Sequence, residues 1–87
     1  MQILLHRKFK KEYKRLPKHI KILAEKKIKI FMTNPFDTRL KTHRLQGKLR
    51  YLWSFYIDRN QYRIAFEILD ENIVRFYTAG THDDVYR

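Results

Sequence analysis

The chain has 87 residues, 44% of them hydrophobic and 15% aromatic, with two glycines, two prolines and no cysteine. That composition points to one folded domain spanning residues 1–87, too apolar for intrinsic disorder, and it excludes disulfide scaffolds, thiolate zinc sites and cysteine nucleophiles. Twenty Lys and Arg against nine Asp and Glu give a formal net charge of +11, which implies polyanionic partners: nucleic acid first, an acidic protein second.

The charge is graded along the chain. Residues 1–30 hold 11 basic and 2 acidic side chains, residues 31–63 hold 7 and 2, and residues 64–87 hold 2 and 5. No apolar run approaches the roughly 18–20 residues of a membrane span. The short Ile3-Leu4-Leu5 stretch does not resemble a secretion signal, so a soluble cytoplasmic protein is expected.

Residues 2–5, apolar and β-branched, read as a first strand. Over residues 6–16 the period changes: Phe9, Tyr13 and Leu16 recur at i, i+4, i+7 between lysines and arginines, the pattern of an amphipathic helix with a basic outer face. Pro17 ends it. A second helix is predicted from about residue 18 to 32, its stripe made by Ile20, Leu23, Ala24, Ile28 and Phe31, with Lys27 the flaw in it. Asn34-Pro35 stops that helix, and the two helices form a hairpin. Residues 36–48 make a basic connector with few large apolar side chains.

Three strands are predicted next. In residues 51–57, Tyr51, Trp53, Phe55 and Ile57 share one face, and Leu52, Ser54 and Tyr56 the other. In residues 62–69, Tyr62, Ile64, Phe66 and Ile68 oppose Arg63, Ala65, Glu67 and Leu69. Residues 73–78 close the set, and residues 58–61 and 70–72 are polar turns of hairpin length. The fold class expected is α+β, ordered β-α-α-β-β-β, with a helix hairpin packed on a mostly antiparallel four-stranded sheet.

A register follows. Pairing Ile57 with Tyr62 puts Tyr56 opposite Arg63 and Ser54 opposite Ala65. Pairing Leu69 with Ile73 puts Phe66 opposite Phe76, sets Glu67 against Arg75 as a cross-strand charge pair, and brings Ala79 beside Arg63. Arg63, Tyr56 and Tyr77 then share the face away from the helices, and His82 lies at the same end, with Tyr86 four residues on. Arginine, histidine and tyrosine without clustered carboxylates suit metal-free chemistry on RNA. The 2′-OH is the nucleophile, a base takes its proton, an acid protonates the leaving 5′-oxygen, and a guanidinium holds the phosphate. Lys41, Arg44 and Lys48 of the connector and Arg50 just after it, with Tyr56, are the expected RNA contacts.

Four segments in order carry a resemblance: His43-Arg44-Leu45-Gln46-Gly47, Tyr51-Leu52-Trp53-Ser54, Tyr62-Arg63-Ile64-Ala65-Phe66, and Ala79-Gly80-Thr81-His82 through Val85-Tyr86. Together they resemble the RelE/ParE superfamily of toxins from type II toxin–antitoxin pairs, and the C-terminal end is most similar to its YafQ branch. The resemblance covers about half the chain; the N-terminal half agrees in element order and basic character. It implies a RelE-like microbial ribonuclease fold and a metal-independent mRNA interferase acting in the ribosomal A site. It also implies no cofactor, contact with ribosomal RNA, and a toxin that is monomeric when free and bound by a cognate antitoxin. Within it, His82 matches the C-terminal catalytic histidine, a general acid, and Tyr86 the aromatic beside it. His43 matches the connector histidine, a candidate base, and Arg63 the phosphate-binding arginine.

The chain departs from the pattern where RelE's catalytic lysines fall on Ser54 and Tyr56, and where YafQ-type His and Asp residues are replaced in the region of Ile57 and Gln61. His82 stands where RelE has a second arginine. Two other functions share the fold or the charge: a ParE-like gyrase-inhibiting toxin without nuclease activity, and a non-catalytic RNA- or ribosome-binding module.

Overall fold

A computed structural model describes residues 1–59 and 61–86. Asn60, in the turn expected at residues 58–61, and Arg87, at the end of the C-terminal motif, lie outside the described residues. Strand β1 (Gln2–Leu5) leads into helices α1 (Arg7–Lys14) and α2 (Lys18–Thr33). After a connector come β2 (His43–Arg44), β3 (Trp53–Tyr56), β4 (Tyr62–Asp70), β5 (Ile73–Thr81) and the helical turn α3 (His82–Val85). Among the described residues, no helix is long and apolar enough to cross a membrane.

Local chemistry sets the helix boundaries. The His6 side chain accepts from the Lys8 N–H at 3.0 Å and so caps α1. Pro17 precedes the first residue of α2, and Asn34-Pro35 closes it. The connector holds two single turns of 3₁₀-helix, and its Leu40 and Leu45 are fully buried, so it carries more of the core than its composition promised.

The sheet has five strands, in the order β1-β5-β4-β3-β2, rather than four. The added strand is the two-residue β2, where His43 pairs with Ser54 and Arg44 with Trp53. A run this short shows no alternation, which is why periodicity missed it. β1 runs parallel to β5 and every other pair is antiparallel.

The β3–β4 register is the expected one: Tyr56 faces Arg63, Ser54 faces Ala65, and the Ile57 N–H reaches the Tyr62 carbonyl at 2.9 Å. In β4–β5, Phe66 faces Phe76 and Glu67 faces Arg75 as expected, but the ends differ. Asp70, not Leu69, faces Ile73, and Gly80, not Ala79, faces Arg63. Two register shifts, between Ala65 and Phe66 and between Ile68 and Asp70, account for this. Each inserts an extra residue on one strand and moves everything beyond it by one place. β5 also runs three residues past the expected end, and α3 was not foreseen at all.

The helix hairpin covers one face of the sheet. Phe31 of α2 is completely buried, with its ring 5.0 Å from Phe55, 4.8 Å from Phe66 and 5.2 Å from Phe76, centroid to centroid. Phe9 of α1 meets Phe76 at 5.4 Å. Tyr51, expected on this face, is exposed because it precedes the strand in a turn. Ile68, near the far end of β4, is exposed although its cross-strand neighbour Val74 is buried. Trp53 is half-buried against Phe36 at 5.1 Å.

Replacing Phe31 with Ala removes the ring shared by three strands. Guanidinium unfolding should show a loss of about 3–5 kcal/mol, the range for emptying a buried aromatic site. A loss under about 1 kcal/mol would show that the hairpin is seated by other contacts.

Candidate functional site

The opposite face of the sheet divides in two. Leu45, Leu52, Ala65 and Val85 form a small buried cluster there, with Leu49 and Tyr77 against it. Beside it runs a row of polar side chains, His43 on β2, Tyr56 on β3 and Arg63 on β4, with Gly80 of β5 next across from Arg63. The alternation that buries Phe55 and Ile64 on the helix face turns Tyr56 and Arg63 to this one.

Arg63 is only 5% exposed, and its guanidinium carbon lies 4.7 Å from the centre of the Tyr56 ring, a cation–π contact. Its Nε is buried without a hydrogen-bond partner. Among the described residues no carboxylate is within ion-pair distance of it: Glu67 is bound to Arg75 at 3.0 Å, and Asp83 lies 3.6 Å from His82 Nδ1. A buried cation with neither countercharge nor full hydrogen bonding is costly, and a phosphate supplies both.

The His43 ring lies 5.7 Å from the Tyr56 ring. Its Nδ1 is 3.1 Å from the Lys41 carbonyl oxygen. A carbonyl only accepts, so this contact assigns the proton to Nδ1 and leaves the Nε2 lone pair as the ring's proton acceptor. Lys41 presents that carbonyl from a left-handed backbone, φ 51°.

His82 opens α3, where the Tyr86 N–H donates to the His82 carbonyl at 3.0 Å and the two rings stack at 4.3 Å. The His82 side chain is 59% exposed. The turn is built by residues that the sequence reading placed in a motif without a structural task. Thr81 and Asp84 form a reciprocal capping box, with the Thr81 N–H donating to Asp84 Oδ2 at 3.0 Å. Gly80 makes room for it, because a Cβ there would lie 2.8 Å from the Asp84 Cβ. Val85 anchors the turn in the outer cluster. The Thr-x-x-Asp spacing was the available signal.

The structure therefore joins His43, Tyr56 and Arg63 by direct contact, and places the His82–Tyr86 pair two residues beyond Arg63's cross-strand neighbour. Tyr77 is not part of this group: its ring meets His6 at 4.8 Å and Lys8 Nζ at 5.5 Å. Arg44 donates from Nε to the Arg50 carbonyl at 2.7 Å and lies over Trp53. Lys48 and Arg50 border a shallow groove with Tyr51. Ser54, between His43 and Ala65, is buried with an unpartnered hydroxyl.

A five-stranded mixed sheet with a helix hairpin on one face is shared with solved structures of small bacterial and archaeal toxins. YafQ from E. coli strain BL21(DE3) superposes with a TM-score of 0.81 at 17% identity, over 99% of this chain and 98% of that one. The YoeB/ParE toxin from Agrobacterium tumefaciens gives 0.77 at 16% identity over 94% and 99%. The RelB–RelE antitoxin–toxin complex from Methanococcus jannaschii gives 0.73 at 19% over 95% and 94%. No curated protein sequence matches significantly. The family model of ParE-like toxins of type II bacterial toxin–antitoxin systems matches residues 3–87, and the chain belongs to that family.

Two substitutions test the local physics. Ser54→Ala removes a buried hydroxyl that bonds to nothing, so thermal unfolding should show stability unchanged or raised by up to about 1 kcal/mol. A clear loss would mean that the hydroxyl has a partner. Gly80→Ala forces Asp84 away, with an expected loss of about 1–3 kcal/mol and shifted NMR signals for the His82 ring. Unmoved signals would show that the capping box does not place His82.

Proposed function

We propose that this toxin is a ribosome-dependent endoribonuclease that cleaves mRNA in the ribosomal A site and is restrained by a cognate antitoxin. The observation that carries the reading is Arg63: nearly buried, held on Tyr56, and without a carboxylate partner among the described residues. Such a guanidinium awaits an anion, and the scissile phosphate is the anion that fits the chemistry around it.

In this mechanism His43 Nε2 takes the proton of the 2′-OH, whose oxygen attacks the adjacent phosphorus. Arg63 holds the phosphate oxygens as negative charge accumulates on them. The bond to the 5′-oxygen breaks, and protonated His82 delivers a proton to it. The products are a 2′,3′-cyclic phosphate and a 5′-hydroxyl. Tyr86 stacks on His82 and fixes its ring, and Tyr56 links Arg63 to His43. Lys41, Arg44, Lys48 and Arg50 supply sequence-independent contacts to mRNA and ribosomal RNA. The chain's positive charge equally suits an acidic antitoxin, and the solved RelB–RelE assembly supports such a partner.

Arg63→Ala and His82→Ala should each lower ribosome-dependent mRNA cleavage by about 10²–10⁴-fold and relieve growth arrest. Wild-type cleavage by both would sink the mechanism. A second reading, gyrase inhibition, is favoured by the ParE-like description of the matching family. It wins if the wild-type protein traps gyrase on DNA while mRNA stays intact.

A further inference from the structure

Lys27 interrupts the apolar stripe of α2, and the structure shows what it does there. It is half-buried beside Leu23, in a cleft of about 450 Å³ between α2, the connector and the end of β3. Lys27, Arg39, Lys41 and Arg59 bring four positive charges to the lining, against the single carboxylate of Asp58. Oδ1 of that carboxylate accepts from the Gln61 and Tyr62 N–H groups at 3.0 and 2.8 Å, which holds the side chain in its own turn.

The four cations are not equivalent. Arg39 is committed to Asp37, donating from Nε and Nη2 at 3.0 and 2.9 Å. Those bonds hold the Asp37 carboxyl down at about 2. Lys27 Nζ donates to the Arg39 carbonyl at 3.1 Å, which fixes its ammonium at the cleft and leaves two of its three donors for other partners. Lys41 and Arg59 are exposed, and none of the described carboxylates forms an ion pair with either. Three cations are thus available on a concave surface, one of them anchored.

The cleft is continuous with the polar row. Tyr56 belongs to both, lining the cleft while it supports Arg63 and His43. Lys41 belongs to both as well, lining the cleft and placing its carbonyl oxygen on His43 Nδ1. Arg63 and the cleft therefore have Tyr56 as a common neighbour.

We propose that the cleft is a second phosphate subsite, which holds the backbone of single-stranded RNA next to the phosphodiester at Arg63, with Lys27, Lys41 and Arg59 as its ligands. This rests on the nuclease reading of the site. A site reached only by a neighbouring nucleotide adds affinity and register without touching the reacting atoms, and its contribution depends on substrate length and salt.

The test uses fluorescence anisotropy with an RNA dinucleotide and an RNA hexanucleotide, each carrying a 2′-deoxy residue so that it is bound but not cut. Lys27→Met and Arg59→Gln should each weaken hexanucleotide binding about three- to tenfold, and lower the slope of log affinity against log salt by roughly 0.7 for the lost phosphate. Dinucleotide binding should stay unchanged. Lys10→Gln on the solvent face of α1, a change of equal charge, should alter neither. Circular dichroism confirms that each variant is folded. Unchanged hexanucleotide affinity in both cleft variants overturns the subsite. An equal loss on both oligonucleotides, or in the Lys10 variant, reduces it to general charge and also overturns it. Loss of binding to a synthetic acidic peptide, with RNA binding intact, would give the cleft to a protein partner instead. Arg63→Ala separates the two ideas: if it binds and cleaves like wild type, the nuclease reading has failed, whereas if it fails and the cleft variants do not, only the subsite has.

Discussion

Phe31 meets three strands at once. Its ring stands edge-on to Phe66 and Phe76 and stacks with Phe55, with every centroid within 5.2 Å. Those partners lie on β3, β4 and β5, so one side chain of α2 fixes the helix hairpin against the middle of the sheet. Aromatic contacts of this kind add to the burial of large apolar area. The consequence reaches the opposite face. With the bodies of both long helices held on one side, the alternate residues of the same strands are covered by the connector, the α3 turn and, at Tyr77, the His6 and Lys8 side chains. Tyr56 and Arg63 project where these leave off.

A second constraint acts at the edge of the sheet. β1 is only four residues long and its pairing stops at Phe76, so the later part of β5 lacks a neighbour on that side. Glu12 of α1 takes the place of the missing strand: its Oε1 accepts from the Thr78 hydroxyl at 2.6 Å and from the Ala79 N–H at 3.1 Å. Lys8 closes the network, donating to Thr78 Oγ1 at 3.0 Å with its Nζ 3.3 Å from Glu12 Oε2. A carboxylate on an otherwise unpaired N–H satisfies the edge and discourages further strand pairing. The bulge lies at the same level, where Ala65–Phe66 face Phe76–Thr78, and it shifts Gly80 into place across from Arg63.

The basic character of the chain is put to two uses. Most lysines of the helices are exposed and act as a diffuse field, which raises encounter with polyanions but selects nothing. A few cations are held: Arg63 on Tyr56, Arg44 on Trp53 and the Arg50 carbonyl, Lys27 on the Arg39 carbonyl. Cations held in this way lose little further freedom when an anion binds. Two acidic side chains of the C-terminal third have structural tasks instead: Glu67 is paired to Arg75 and Asp84 lies in the cap of α3.

The order of the elements, the amphipathic helices and the pairing of Tyr56 with Arg63 were legible in the sequence, because period 3.6 and period 2 patterns report directly which side of each element meets the core. The C-terminal Gly-Thr-His-Asp-Asp-Val-Tyr run was legible as a family signature. Three things were decided only in three dimensions. Bulges depend on how two strands twist together, so the place of Gly80 opposite Arg63 could not be read from either strand alone. The two-residue β2 exists only because β3 offers it a partner, and with it comes the position of His43 against Tyr56. The burial of Arg63 without a described carboxylate partner, and the meaning of Lys27 as one wall of a cleft rather than a flaw in a stripe, follow from which surfaces the packed helices and connector leave open. Sequence determines which residues carry charge and which are apolar; solvent exclusion by distant neighbours determines which of those charges are buried and which stay in water.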